Sequence, residues 1–366
     1  MYTEDYERKM LELVSDDNTY TCVKRDPTNG IQTKNNNFVK KLKDQKFIDE
    51  KTKRSLTIYN AVCPRIYGQP KAHKSNLPLR PVIPNTTAPT YKLSKYIANI
   101  LQLSMESKYN ITSSFAFCQE INQITLPHNY IIISLDVVSL FTNAPRELVT
   151  YSIIYEWETI RNNTDIDLDL FLEMVEFCMK ESYFRYKGKF YYQIYGTAMG
   201  SPLSPILADI SLETVIGKAV EALPFDVPIV RKYVDDLFIA VPADKIDVVL
   251  EEFNKHEARL QFTLECEQDN KLPFLDMQVI RNADQTLSTD WYAKPIASGR
   301  MLNYNSFHQM KHKVNVANIF IHRVTTLSTH SSWNDQKQII YTQCHTPTQQ
   351  RIPEDVDQSS NPTAPE

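Results

Sequence analysis

The chain has 366 residues, 42% hydrophobic and 23% charged, with a formal net charge of -4. That composition is ordinary for a globular protein and excludes a uniformly basic nucleic-acid binder. The charge is uneven, however: residues 1–95 hold 18 Lys/Arg against 10 Asp/Glu, residues 291–345 hold six against Asp335 alone, and the middle is acidic.

Residues 1–55 are polar and Lys-rich, with scattered apolar positions (Met10, Leu11, Leu13, Val14), and predict short helices around a loop near Asp26–Gly30. Residues 63–90 are dense in proline and basic residues and read as extended strands and turns. Residues 91–109 place Leu93, Ile97, Ile100 and Leu101 at helical spacing with lysines opposite. Residues 130–142, YIIISLDVVSLFT, form an apolar β-run broken by Asp136. Helices are predicted over 144–160 and 165–182, and an aromatic hairpin over 183–196 turning at Lys187-Gly188. A helix from Pro205 follows, then a hairpin at 229–241, and an amphipathic helix at 244–260. Residues 262–281 predict a strand, a turn and a strand, and 291–343 a short strand (WYAKP) with helices. The tail from 346 is rich in Pro, Ser and Gln and reads as disordered. The order predicts an α+β fold, with helices on one face of a mainly antiparallel sheet.

Three carboxylates stand out. Asp136 interrupts one apolar strand, and Asp235 and Asp236 interrupt another in RKYVDDLFIAV. Like charges beside apolar strands cost free energy unless something neutralises them. Divalent cations between the strands offset that cost, because Mg²⁺ prefers carboxylate oxygens together with substrate phosphates. Two such ions would clamp an in-line phosphoryl displacement. A tight hairpin would put Asp235 at its turn, facing the strand that carries Asp136. Basic ends around an acidic centre suit a polyanion held at a metal site, although solvated lysine-rich helices would give the same charge pattern.

The motifs lie in a recognisable order. SLDVVSLF at 134–141, AMGSPLSPILAD at 198–209 and KYVDDLFIAV at 232–241 resemble palm motifs A, B and C of reverse transcriptases. YGQPKAHK and PLRPVI, within 67–83, resemble the fingers motifs, and residues 262–279 resemble the region of motifs D and E. The segment 291–324 resembles the thumb entry of Penelope-like retroelements, and LDVVSLFTN, AMGSPLSP and PFLDM resemble the same group. The resemblance covers roughly residues 40–325.

It implies a right-hand polymerase: an N-terminal helical, basic extension at 1–55, fingers at 56–130, palm at 131–290, a partial helical thumb at 291–345 and a tail at 346–366. Asp136, Asp235 and Asp236 would be the catalytic, metal-holding carboxylates for two Mg²⁺ ions, with Mn²⁺ as a substitute. Phe141, five residues after Asp136, matches the steric gate that excludes a 2'-hydroxyl and so favours dNTPs over NTPs. Arg80 matches the fingers arginine that grips triphosphate; Lys71 and Lys74 compete for the other cationic role. Backbone amides near Val137 and Val138 are further triphosphate contacts. Met199, where many reverse transcriptases have Gln, and Gly200 would approach the nucleotide. Phe274, Leu275 and Asp276 match the primer grip. His308, His312, Lys313 and Arg323 match thumb positions that touch the phosphate backbone. Lys271 is a weaker match to the basic group that protonates the leaving pyrophosphate.

Implied partners are an RNA template, a DNA or RNA primer and dNTPs. The six cysteines include no CxxC pair, and neither a signal peptide nor a membrane-length apolar run is visible. Reduced thiols, no membrane and a nuclear or cytoplasmic location are therefore expected, and no partner protein is inferable. No GIY-YIG endonuclease or RNase H motif follows the polymerase motifs. The alternatives are an inactive, truncated nucleic-acid-binding remnant or an RNA-dependent RNA polymerase.

Overall fold

The computed structural model describes residues 2–71, 76–105, 107–294, 302–303 and 305–344. In chain order the elements are α1 (Thr3–Val14), β1 (Tyr20–Val23), α2 (Thr28–Asp44), α3 (Glu50–Leu56), β2 (Tyr67–Pro70), β3 (Leu79–Val82), α4 (Tyr91–Ser104) and α5 (Ser114–Ile121). There follow β4 (Tyr130–Val137), α6 (Leu140–Asn143), α7 (Arg146–Tyr155), α8 (Trp157–Ile160), α9 (Leu168–Lys180), β5 (Tyr183–Tyr186), β6 (Lys189–Gln193) and α10 (Ser204–Ala222). The remainder comprises β7 (Val230–Tyr233), β8 (Asp236–Pro242), α11 (Ile246–Lys255), β9 (Phe262–Cys266), β10 (Lys271–Phe274), β11 (Met277–Arg281), β12 (Leu287–Trp291), α12 (Met310–Leu327) and α13 (Trp333–Cys344).

Two compact units form, neither continuous in sequence. The first takes residues 1–108, 137–224 and 249–263. Its main core is helical: Leu93, Ile97 and Leu101 of α4 pack with Phe171, Met174 and Val175 of α9 and Leu207 and Ile210 of α10. Helix starts are fixed locally, since the Asp49 carboxylate accepts from the Thr52 amide at 2.7 Å and Asp167 from the Leu170 amide at 2.8 Å. Each such cap contributes about 1 kcal/mol. A small sheet in the order β1-β6-β5 and the β2–β3 hairpin complete the unit. Helix α1 braces that hairpin: the Tyr6 hydroxyl accepts the Gly68 amide at 2.9 Å, and the Lys9 ammonium donates to the Leu77 carbonyl at 3.1 Å.

The second unit takes residues 109–136, 225–248 and the chain from 264 onward. It is built on two antiparallel sheets, β7-β8-β4-β9 and β10-β11-β12. Residues Leu237–Val241 of β8 are all buried, as a central strand covered on both faces requires. Phe117, Phe238 and Phe274 form an aromatic trio with centroids 5.3–5.4 Å apart, and Ile132, Ala240 and Val279 pack in the same core. The free edge of β7 is covered: the Lys232 amide donates to Tyr109 and the Ile111 amide to Lys232, both at 2.8 Å.

The helices at 91–104 and 204–222, the Lys187-Gly188 hairpin and the 230–242 hairpin lie where the sequence predicts them. Three local expectations change. Tyr20–Val23 is a strand: Tyr20, Thr21 and Val23 favour extended backbone, and antiparallel pairing with β6 fixes it. The expected loop at 26–30 starts α2 instead, with the Asp26 carboxylate accepting the Thr28 amide at 2.9 Å. Residues 262–281 hold three strands, and the strand expected at WYAKP ends at Trp291, since Leu287–Trp291 pairs with β11. The five described cysteines, Cys22, Cys63, Cys118, Cys178 and Cys266, are free thiols. No helix among the described residues is long and apolar enough to cross a membrane.

Candidate functional site

In the second unit, β4 and β8 run antiparallel with Asp136 directly opposite Asp236. In such a pair, opposite residues project to the same face with Cβ atoms roughly 4.5–5.5 Å apart. The β7–β8 hairpin closes through Tyr233 opposite Asp236, so Val234 and Asp235 form its two-residue turn. Val234 adopts φ 59°, a conformation that is a genuine outlier for a β-branched residue. Backbone strain of that kind costs on the order of 1–3 kcal/mol and clusters where function demands a fixed side chain.

This geometry corrects two details of the expectation. Asp136 sits exposed at the end of β4 rather than inside a buried stretch, and the carboxylate facing it is Asp236, with Asp235 at the turn. The reason is register: the apolar alternation of β4 against Leu237–Val241 sets the pairing, and the two-residue turn leaves Asp235 beyond the last pair.

The electrostatic cost of this arrangement shows at Asp236. Burial first, then the Asp235 and Asp136 charges, push the Asp236 carboxyl up to about 6; Glu265 on β9 acts in the same sense and Lys294 opposes it. Among the described residues, no hydrogen bond or ion pair holds the Asp235 or Asp236 side chain. Nor do three His, Cys, Asp or Glu side chains among them form a ready-made metal cage. A cluster of repelling carboxylates on two adjacent strands, open at one end, suits hard cations that take part of their coordination from substrate phosphates. Asp136, Asp235 and Asp236 would hold such ions.

The other matched residues nearest motifs A and B lie in the first unit. After Val137, whose side chain is buried, the chain turns sharply: Ser139 has φ 53° and α6 is a single turn. The Val138 amide donates to the Gln261 carbonyl at 2.8 Å, so that amide is spent within the protein rather than on triphosphate. Half-buried Phe141 begins the turn's second residue, and its carbonyl accepts from the Thr197 amide at 2.7 Å and the Thr197 hydroxyl at 3.1 Å.

Gly200 has φ 123°, and a Cβ there would stand 2.2 Å from the Ile83 carbonyl oxygen, so only glycine fits. The Ile83 amide donates to the Met199 carbonyl at 2.7 Å. The motif B loop is thereby fastened to the end of β3, the strand that carries Arg80. Arg80 is exposed and has no ion pair among the described residues, while half-buried Lys71 closes the hairpin with its amide on the Pro78 carbonyl at 2.9 Å. Lys74 lies outside the described residues.

In the second unit, Phe274 is buried in the aromatic trio, and Leu275-Asp276 form the two-residue turn between β10 and β11, with Leu275 at φ 55°. The Asp276 carboxylate pairs with Arg323 of α12 and accepts from the Ser114 hydroxyl at 3.0 Å. Arg323 is thus engaged within the protein. Lys313 donates to the Ser306 carbonyl at 2.7 Å. His308 and His312 are exposed, and His308 Nδ1 lies 3.0 Å from the Ser306 hydroxyl. Lys271 is exposed on β10. Sequence reasoning passed over Thr197, Glu265 and Lys294. Glu265 had a signal, as a solvent-side position in the alternating FTLEC strand; Thr197 had only its place after Gly196.

No protein-family model matches this sequence, and no curated protein does. Solved structures do. The telomerase of Candida albicans, in complex with a fragment of telomeric RNA, matches over 86% of this chain and 52% of its own, with a TM-score of 0.57 and 12% identity. The apo telomerase of Candida tropicalis matches over 83% of this chain and 59% of its own, with a TM-score of 0.50 and 14% identity. An RNA-dependent RNA polymerase of a human picobirnavirus matches at a TM-score of 0.49 and 11% identity, covering 93% of this chain and 75% of that one. This chain spans little more than half the length of the telomerases it matches. The telomerase likeness is one of fold: mixed helices and antiparallel sheets arranged as a right-hand polymerase.

Proposed function

We propose that this chain is an RNA-directed DNA polymerase of the Penelope-like type, extending a primer 3'-end with dNTPs on an RNA template. The observation that carries the reading is the pairing of Asp136 with Asp236 beside a strained turn bearing Asp235, within a right-hand polymerase fold. Among the described residues, no hydrogen bond or ion pair holds the side chains of Asp235 and Asp236. Burial and the Asp235 and Asp136 charges raise the proton affinity of Asp236, which a purely structural hairpin would avoid.

When bound, two divalent ions supply charge neutralisation and an activated attacking oxygen for phosphoryl transfer. The chain's own residues do the rest. Asp136 and Asp235 would hold the ions, and Asp236 would support them through the shared field of negative charge. Arg80, exposed and without an ion pair among the described residues, is available to grip a triphosphate through its planar fork. Phe141 presents a ring that rejects a 2'-hydroxyl by size, offering no acceptor for it. Met199 and Gly200 offer an apolar side chain and close backbone approach to the base. Phe274, Leu275 and Asp276 support the primer end, His308, His312 and Lys313 are the groups for the nucleic-acid phosphates, and Lys71 or Lys74 supplies the second cation for the triphosphate. The grouping with Penelope-like elements rests on the ordered motifs at 67–83, 134–141, 198–209, 232–241 and 291–324.

The test is primer extension on an RNA template with purified protein, Mg²⁺ and labelled dNTPs, beside Asp235→Ala. The expected result is extension by the wild type and none by the variant. Extension with NTPs in preference to dNTPs would make the protein an RNA polymerase. Salt-dependent RNA binding without incorporation of either would make it a nucleic-acid-binding remnant.

A further inference from the structure

Accepting the nucleotide-gate reading of Phe141, we infer that Thr197 is the residue that positions the gate and thereby sets how well the enzyme distinguishes dNTPs from NTPs. The two substrates differ by a single oxygen atom, so the ring must be held to within about half an ångström to exclude one and admit the other. Local structure cannot do that. Phe141 lies in α6, a helix of four residues, and a single turn has no stability of its own.

The support comes from elsewhere in the first unit. The Phe141 carbonyl receives two hydrogen bonds from one residue, the Thr197 amide at 2.7 Å and the Thr197 hydroxyl at 3.1 Å. Thr197 is buried, at 3% exposure, so its side chain has no solvent alternative to this contact. The approach is possible because Gly196, at φ 67°, precedes it: a Cβ on Gly196 would stand 2.4 Å from the Thr142 carbonyl oxygen. On the other flank, the Val138 amide is tied to Gln261 and the Asn143 amide group to the Val138 carbonyl at 3.0 Å. Those bonds fix the ends of the turn. Among the described residues, it is Thr197 whose amide and hydroxyl bond the residue that bears the ring.

The hydroxyl and the amide make separable contributions. Thr197→Val keeps the shape and the amide bond but removes the hydroxyl donor; Thr197→Ser keeps both donors. A residue that merely stabilised the fold would lower the use of dNTPs and NTPs together. A positioning residue changes their ratio.

The experiment measures kcat/KM for one dNTP and its matching NTP on the same primer and RNA template. Wild type, Thr197→Val, Thr197→Ser, Phe141→Ala and the Phe141→Ala/Thr197→Val double variant are compared, with melting curves for each. The expected result is an approximately tenfold fall in dNTP-over-NTP selectivity in Thr197→Val, with selectivity restored in Thr197→Ser. Phe141→Ala should lose selectivity outright, and adding Thr197→Val should then change it by less than about twofold, because the gate it positions is gone. Should valine not fit, Thr197→Ala replaces it with the same expectation. Unchanged selectivity in Thr197→Val, equal losses for both nucleotides, or an additive double variant would overturn the inference while leaving the polymerase reading intact. A wild type that incorporates neither nucleotide would overturn both.

Discussion

Two hairpins of the second unit are built alike and end differently. The β7–β8 hairpin turns at Val234-Asp235 and the β10–β11 hairpin at Leu275-Asp276. Each turn has two residues, starts with a large apolar residue at positive φ and continues with aspartate. In the second hairpin the carboxylate is neutralised at home, by Arg323 and the Ser114 hydroxyl. In the first, Asp235 meets no partner among the described residues and adds to the field of Asp136 and Asp236. A sequence that knows how to neutralise an aspartate at a hairpin tip does so in one place and withholds it in the other. The counter-charge withheld at the first hairpin is what the proposed cations and phosphates would supply.

The largest expected consequence is in activity. Asp235→Ala should lower primer extension by about 10²–10³-fold or more, the scale on which a group stabilising transition-state charge is lost. Its melting temperature should hold or rise, because one of three repelling carboxylates is removed. A variant that melts lower and extends normally would place Asp235 with Asp276, as a structural turn residue.

Asp236 gives the next effect, in stability. Its carboxyl titrates near 6 in the folded chain against 3.8 unperturbed. Between those values the folded chain binds more protons than the unfolded one, so stability falls as pH rises through that window. Without divalent ions, the wild type should therefore lose about 1–2 kcal/mol between pH 4 and 6.5 from this group, after allowing for solvent screening. Asp236→Asn should remove that part of the pH dependence and be the more stable protein at pH 7. Denaturant melts in EDTA at the two pH values measure it; the same slope in both proteins would mean that the carboxylates do not interact as placed.

Much of this was legible in the sequence because it is carried by local pattern. The interrupted apolar strands at Asp136 and Asp235-Asp236, the Lys187-Gly188 turn and the glycine at 200 all announce themselves through residue type and spacing. What was not legible depends on register or on distant chain. That Asp236 rather than Asp235 opposes Asp136 follows from counting pairs back from the turn, and a slip of one residue would reverse it. The Tyr20–Val23 strand has strand-favouring residues but only four of them, and pairing with the distant β6 is what fixes it. Arg323 reads as a phosphate contact in a basic segment, and only the fold brings it to Asp276. Thr197 carries no local sign of its bond to Phe141, which lies 56 positions away.

The neutralised hairpin should respond more mildly than the other. The Asp276–Arg323 pair is about two-fifths exposed on both sides, which limits it to roughly 0.5–1 kcal/mol. Asp276→Ala should cost that much in stability and weaken extension a few-fold by loosening α12 against the β10–β11 turn. Arg323→Ala should do the same, and the double variant should cost no more than either alone. Additive losses would show that the two groups act separately, with Arg323 then free for the phosphate contact the sequence suggests.

The smallest effect separates the turns themselves. Val234 is 49% exposed, whereas Leu275 is partly buried against the core that contains Phe117 and Phe274. Both hold a left-handed conformation that glycine would adopt without strain. Val234→Gly releases strain and sacrifices little packing, so it should stabilise the protein by up to about 1 kcal/mol even after the entropy that glycine adds to the unfolded chain. Leu275→Gly releases similar strain but forfeits apolar burial worth on the order of 1 kcal/mol, and should be neutral or destabilising. Opposite signs in paired melts would show that one turn is kept strained for what it presents and the other for what it packs. Equal gains from both would remove that distinction and leave the engagement of the turn aspartate, Asp276 with Arg323 against Asp235 with no partner among the described residues, to separate the hairpins.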